Sequence, residues 1–180
     1  MAHNSRWVAL YSQTGTELAE LMSLSASWRP DEILTNTKLP INPAFASVPL
    51  VLHGKHSELM EALRNMKTRC LVTLHGYLNI IPPDVCDMHD IYNGHPGLIN
   101  VFPELKGKDP QEKTWINREK YDIIGSVIHK VTPGVDEGPL VSVSSGLFLY
   151  KNEESKSEFL KDLRQHSLTT WRYFLSDMRE

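Results

Sequence analysis

Short runs of Val, Ile and Leu alternate with segments of helical periodicity through the first half of the chain. The runs Trp7 to Tyr11, Asp31 to Thr35, Val48 to His53 and Cys70 to His75 are each bounded by turn-forming residues. Apolar runs of this length, without polar alternation, mark strands covered on both faces, as in a parallel sheet. Between them, Leu18, Leu21 and Met22 recur within Gly15 to Leu24, and Leu59, Met60 and Leu63 within His56 to Lys67. That spacing predicts two helices, each with one apolar face, and hence a strand–helix–strand wrap. Asn36 to Pro49 holds three prolines and no period, which predicts a short turn or irregular loop where a second crossover helix would otherwise stand.

Beyond "NIIPPDVCDM" the pattern predicts a strand over His89 to His95 and a loop through Lys108. A helix then follows near Asp109 to Glu119, with Pro110 in its first turn. Asp122 to Thr132 and Leu140 to Leu149 read as strands joined by "PGVDEGP", whose proline and glycine residues keep it irregular and leave Asp136 in its middle. From Ser155 the sequence "SKSE" has the form of a capping box. Leu160, Leu163, Leu168, Trp171, Phe174 and Met178 then form one stripe of a long closing helix. The expected fold is α/β: a Rossmann-like, mostly parallel sheet with flanking helices, forming a single domain over residues 1–180.

Composition narrows the partners. The chain has 180 residues with 41% hydrophobic content, enough for one substantial core, and 19 basic against 22 acidic residues for a net charge of -3. No Lys/Arg-dense block is present to track a phosphate backbone, so a nucleic-acid partner is not expected. Cys70 and Cys86 have no metal-ligand spacing, and the amino terminus has no apolar stretch of signal or membrane-span type. The expectation is a cytoplasmic, reducing setting without disulfides, metal or membrane. The sequence does not set the oligomeric state.

Candidate chemistry centres on "YNGHPG". Residues two apart in a strand face the same side, so Asn93 and His95 present their side chains together before Pro96-Gly97 breaks the strand. If the preceding strands are parallel, the pair lies at a carboxyl end, where open α/β sheets hold ligands. An Asn or His at a strand end is more often a loop anchor than a catalyst, and the pair alone does not decide.

The wider pattern does more. Asn93-Gly94-His95-Pro96, Lys106-Gly107-Lys108, the Gly125 to His129 segment and Asp136-Glu137-Gly138-Pro139 together resemble the folate-dependent formyltransferases, in particular the glycinamide ribonucleotide transformylase type. The resemblance runs from Trp7 to about Val143. It implies transfer of a formyl group from 10-formyltetrahydrofolate to a primary amine, through a tetrahedral intermediate that carries an oxyanion.

By that resemblance the catalytic residues are Asn93, His95 and Asp136. Asn93 would donate to the oxyanion. His95 would steady it and move a proton, with a nearby Asp136 carboxylate expected to raise the histidine's pKa. "LVTLHGYLNIIP" is similar to the family's pterin-cradling strand and turn, which places Tyr77, Asn79, Ile80 and Ile81 on one folate wall. Val131, Thr132, Pro133 and Val135 form the other. Asn79 stands where arginine is frequent in the family. "YSQTGTEL" occupies the place of the phosphate-binding first turn, assigning Thr14, Gly15 and Thr16, together with Gly107, to the acceptor. Gln13 replaces a usual glycine there, Gly97 a commoner serine, and Glu17 adds a charge that offsets part of the helix's positive field.

The acceptor is left open among phosphoribosyl-glycinamide, other nucleotides and nucleotide-linked amino sugars. Hydrolysis of the formyl donor, and a non-catalytic folate- or nucleotide-binding module, remain alternatives. His129 on its strand reads as packed or structurally bonded. His53, His75 and His89 have no motif of their own.

Overall fold

The computed structural model describes residues 6–179; residues 1–5 and 180 of the expected domain lie outside that range. Seven strands, β1 (Trp7–Tyr11), β2 (Glu32–Thr35), β3 (Leu50–His53), β4 (Leu71–Leu74), β5 (Asp90–His95), β6 (Ile123–Lys130) and β7 (Leu140–Leu147), form one sheet in the order β3-β2-β1-β4-β5-β6-β7. The first five are mutually parallel, and β6 and β7 pair antiparallel. The mostly parallel α/β fold is therefore as the apolar runs indicate.

Every residue of β1 and β4 is buried because helices cover both faces. Trp7, Ala9 and Tyr11 pack under α1 (Thr16–Leu24) and α5 (Lys156–Arg179) with Leu18, Leu21, Trp171 and Phe174. Val8 and Leu10 turn to the other face, against Leu59, Met60 and Leu63 of α2 (His56–Arg64) and Val85 of α3 (Pro83–Met88). Removing one such buried leucine side chain to alanine costs ~2–5 kcal/mol in general, so alternate residues of one strand hold two helix layers. β3 departs from the buried-strand expectation. It is a sheet edge, and Leu50 is 48% exposed.

The proline-rich stretch forms a 3-10 turn, Pro43–Ser47, capped by Asn42 and pinned by Phe45, whose ring packs 5.3 Å from that of Tyr11. α3 was not visible in the pattern. Its six residues span too few turns to show a period, although Pro82 and Pro83 open it as prolines open helices. α4 (Pro110–Ile116) starts at the expected proline.

The closing helix has a different start and phase from the sequence expectation. No capping box forms at Ser155: its hydroxyl donates to the Asn152 carbonyl, and Glu158 accepts from Ser157. A 3-10 turn, Glu153–Ser155, runs directly into α5. Phe159 then points inward onto Phe148 and Trp115, leaving Leu160 38% exposed. Farther along, Trp171 lies so close to β5 that a Cβ on Gly94 would meet its Nε1 at 2.7 Å. No described helix is long and apolar enough to cross a membrane.

Candidate active site

Asn93 and His95 lie at the carboxyl end of β5, on the face where they meet β6. Antiparallel pairing sets Asn93 opposite His129 and His95 opposite Val127, so Asn93, His95 and His129 share one side. Asp136 arrives from the β6–β7 loop in a left-handed conformation, φ 52°. Its Oδ1 is 3.2 Å from His129 Nε2 and its Oδ2 is 3.3 Å from His95 Nδ1. Asn93 Nδ2 lies 3.2 Å from the same His129 nitrogen. The structure thus brings together the three sequence candidates and adds His129 as the link between two of them.

The segment that follows the Pro-Gly break closes over this cluster. The Gly107 N–H donates to Asp136 Oδ2 at 2.7 Å, and His95 Nε2 sits 2.9 Å from the Leu105 carbonyl. The Ser126 hydroxyl donates to the His95 carbonyl at 2.9 Å and fixes the strand end. Gly107, assigned to the acceptor by resemblance, has its amide engaged by the carboxylate.

Burial sets the protonation state. His95 is 4% exposed. Burial pushes its imidazole below the usual range, and the Asp136 charge and the Leu105 carbonyl pull upward without overcoming it. The expectation of a raised pKa is corrected: desolvation outweighs the carboxylate. Asp136 is also pushed upward by burial, but the His129 contact, the Gly107 N–H and the His95 charge hold it well below the ordinary carboxylate range. At neutral pH the pair is a neutral imidazole beside a carboxylate, and the depression of Asp136 then rests on His129 and Gly107. A neutral ring has one N–H for two facing acceptors, so a proton taken up by His95 would find a second hydrogen bond already in place.

The proposed folate walls divide by orientation. Tyr77 and Ile81 turn into the core, 8% and 2% exposed, and burial pushes the Tyr77 hydroxyl up to about 12. That hydroxyl lies 2.8 Å from His56 Nδ1, so the ring does not stand free to stack on a ligand. Asn79 Oδ1 accepts from Asn36 at 2.6 Å. Ile80 and Val135 are 67% and 52% exposed, and among the described residues their backbone amides and carbonyls have no backbone partner. Val131 donates its amide to the Ile91 carbonyl. Thr132 is half-buried and Pro133 exposed on the same loop.

At the first turn Gly15 adopts φ 66° beneath the Phe45 ring, and Thr14 Oγ1 accepts from Thr16 N and Thr16 Oγ1. Glu17 does not set its charge on the open side of the turn. Its carboxylate reaches His75 Nδ1 at 2.9 Å, Ser167 Oγ at 2.5 Å and Trp171 Nε1 at 2.9 Å. Burial pushes it upward, yet these partners leave it below its usual value. His75 is thereby a structural partner, as is His89, which bridges the Cys70 amide and the Leu63 carbonyl. His53 contacts the Thr37 carbonyl. Among the described residues no group of three or more His, Cys, Asp and Glu side chains is arranged to hold a metal.

A family model described as formyl transferase matches residues 35–167, which contain Asn93, His95, His129 and Asp136. The chain belongs to the formyl transferase family. No curated protein sequence matches the chain directly.

Solved structures agree with the family assignment. Phosphoribosylglycinamide formyltransferase from Streptococcus pneumoniae superposes with TM-score 0.79 at 17% identity, covering 97% of this chain and 98% of that one. Glycinamide ribonucleotide transformylase 1 from Symbiobacterium toebii gives 0.77 at 20% identity, covering 99% and 88%. A formyltetrahydrofolate deformylase from Pseudomonas syringae pv. tomato gives 0.71 at 17% identity, covering 96% of this chain and 61% of that one. At these identities the likeness establishes the formyltransferase fold, while the acceptor has to be argued from the residues.

Proposed function

We propose that this formyl transferase moves a formyl group from 10-formyltetrahydrofolate to the primary amine of a small phosphorylated acceptor. The observation that carries the reading is the Asn93–His129–Asp136–His95 cluster at the carboxyl end of β5. The amine nitrogen bonds to the formyl carbon while the carbonyl electron pair moves onto oxygen. Asn93 donates to that oxygen, a contribution of ~3 kcal/mol for one preorganised donor. His95, neutral at rest, takes the proton released by the attacking nitrogen, and Asp136 steadies the imidazolium. Collapse of the intermediate breaks the bond to the folate nitrogen, which receives the proton from His95. For this, His95 Nε2 exchanges the Leu105 carbonyl for the reacting group.

The folate fits the open backbone groups at Ile80 and Val135, on the two segments that flank the cluster. Asn79 would contribute backbone, since its side chain is bound to Asn36. Thr14, Gly15 and Thr16 supply the anion-seeking turn for the acceptor, and Gly107 holds Asp136 in position. A cytoplasmic setting and small-molecule partners accord with the composition.

Mass spectrometry of 10-formyltetrahydrofolate incubated with a panel of phosphorylated amines should detect a formylated amine. Formate release without any formylated amine would favour hydrolysis and overturn the transfer reading. For the donor site, hydrogen exchange with 5-formyltetrahydrofolate should protect residues 76–81 and 131–136. Protection confined to other segments would refute that placement.

A further inference from the structure

A second feature lies at the carboxyl ends of the parallel strands, apart from the His95 cluster. Past the ends of β2 and β3 an open cavity of about 480 Å³ is lined by Asn36, Lys38, His53, Lys55, His56 and Glu58 among others. Lys38 and Lys55 are exposed and form no ion pair among the described residues. The one carboxylate at the rim, Glu58, accepts the Lys55 backbone amide at 2.6 Å and so caps the start of α2. Burial and the Arg64 charge push His56 below the usual histidine range, and Lys38 and Lys55 are the lysines of the lining.

The cavity is tied to the acceptor turn. Ser12 donates to Asn36 Oδ1 at 2.7 Å, and Thr37 Oγ1 donates to the Gln13 carbonyl at 2.6 Å. In open α/β sheets an anion at the first strand–helix turn has the rest of its nucleotide beside the end of the next strand, where an acidic residue suits a free ribose hydroxyl and a basic one a phosphate. After β2 this chain reads Asn36-Thr37-Lys38, with no acidic residue.

We propose that this cavity is a second anion subsite, in which Lys38 and Lys55 hold a further phosphate of a nucleotide-type acceptor. The proposal rests on the transfer reading for the acceptor's role, but the subsite itself is testable without turnover. Its consequence is specificity. An acceptor with one phosphate would engage only the first turn, whereas a nucleotide carrying a second phosphate on its ribose would engage both places.

The test titrates inorganic pyrophosphate into the whole protein, by calorimetry and by backbone amide NMR, without folate. Amides of residues 36–38 and 54–58 should shift, and the exposed double variant Lys38→Ala/Lys55→Ala should bind at least ~10-fold more weakly with an unchanged melting temperature. Shifts confined to residues 13–18, equal affinity in the double variant, or equally tight citrate binding at the same amides would each overturn the subsite. Failure of formyl transfer with intact pyrophosphate binding would instead remove the transfer reading and leave the subsite standing.

Discussion

Replacing His95 by alanine should lower formyl transfer at least ~100-fold while the protein remains folded, the scale of losing the group that moves a proton from the attacking to the leaving nitrogen. Asn93→Ala and Asp136→Asn should cost similar factors. A structural role alone would not produce the accompanying pH profile. His95 is neutral at rest because burial depresses its pKa, so kcat/KM should fall as pH drops through a value below the usual histidine range. The Asp136 carboxylate favours the imidazolium, so in Asp136→Asn the residual activity should lose its acid limb only at still lower pH. Steady-state rates between about pH 5 and pH 8, with circular dichroism on each variant, check both points. Near-wild-type transfer by His95→Ala would sink the mechanism, and an acid limb unmoved by Asp136→Asn would remove the coupling.

Glu17→Ala should destabilise the fold by ~3 kcal/mol, because it strips one acceptor from three donors at once: His75, Ser167 and Trp171. For a chain of this size the melting temperature should fall by roughly 6–12 °C. The pH dependence has a definite sign. The folded-state pKa of Glu17 lies below the unfolded value near 4.5, so its contribution is present above that value and is lost as pH falls through the folded one. Wild type should therefore lose its advantage over Glu17→Gln on acidification below about pH 4.5. Urea melts across that range would show it. Equal stability of Glu17→Ala and wild type at neutral pH would mean that the carboxylate is solvated rather than shared. The network also matters for the site, since Trp171 touches both Glu17 at the acceptor turn and the Gly94 position beside His95.

The strands were legible because their signal is local. Runs such as Trp7 to Tyr11 and Leu71 to Leu74 are buried on both faces, and their uninterrupted apolar character follows directly from that. The two-residue period of a strand was enough to place Asn93 and His95 on one face. α3 escaped because six residues carry too little period, and Leu160 was set on the inner stripe because the phase of α5 depends on the 3-10 turn that precedes it.

His129 stands within the Gly125 to His129 segment of the resemblance and reads as a structurally bonded strand histidine, but the sequence does not show which groups it bonds. Its place follows from β6 running antiparallel to β5, which puts it opposite Asn93, 36 residues away. Knowledge of strand direction would have been the missing signal.

The chain's amino-acid pattern by itself determined the α/β layering, the strand-end address of Asn93 and His95, and the irregular loop that carries Asp136, since each depends on residues within a few positions of one another. Only the tertiary structure decided that Gly107 would grip Asp136, 29 residues distant, that Glu17 would turn inward to Trp171, 154 residues away, and that His95 would lose rather than gain basicity. Those outcomes depend on which segments close over a group and remove its water, and desolvation is a property of the packed volume that no local spacing encodes.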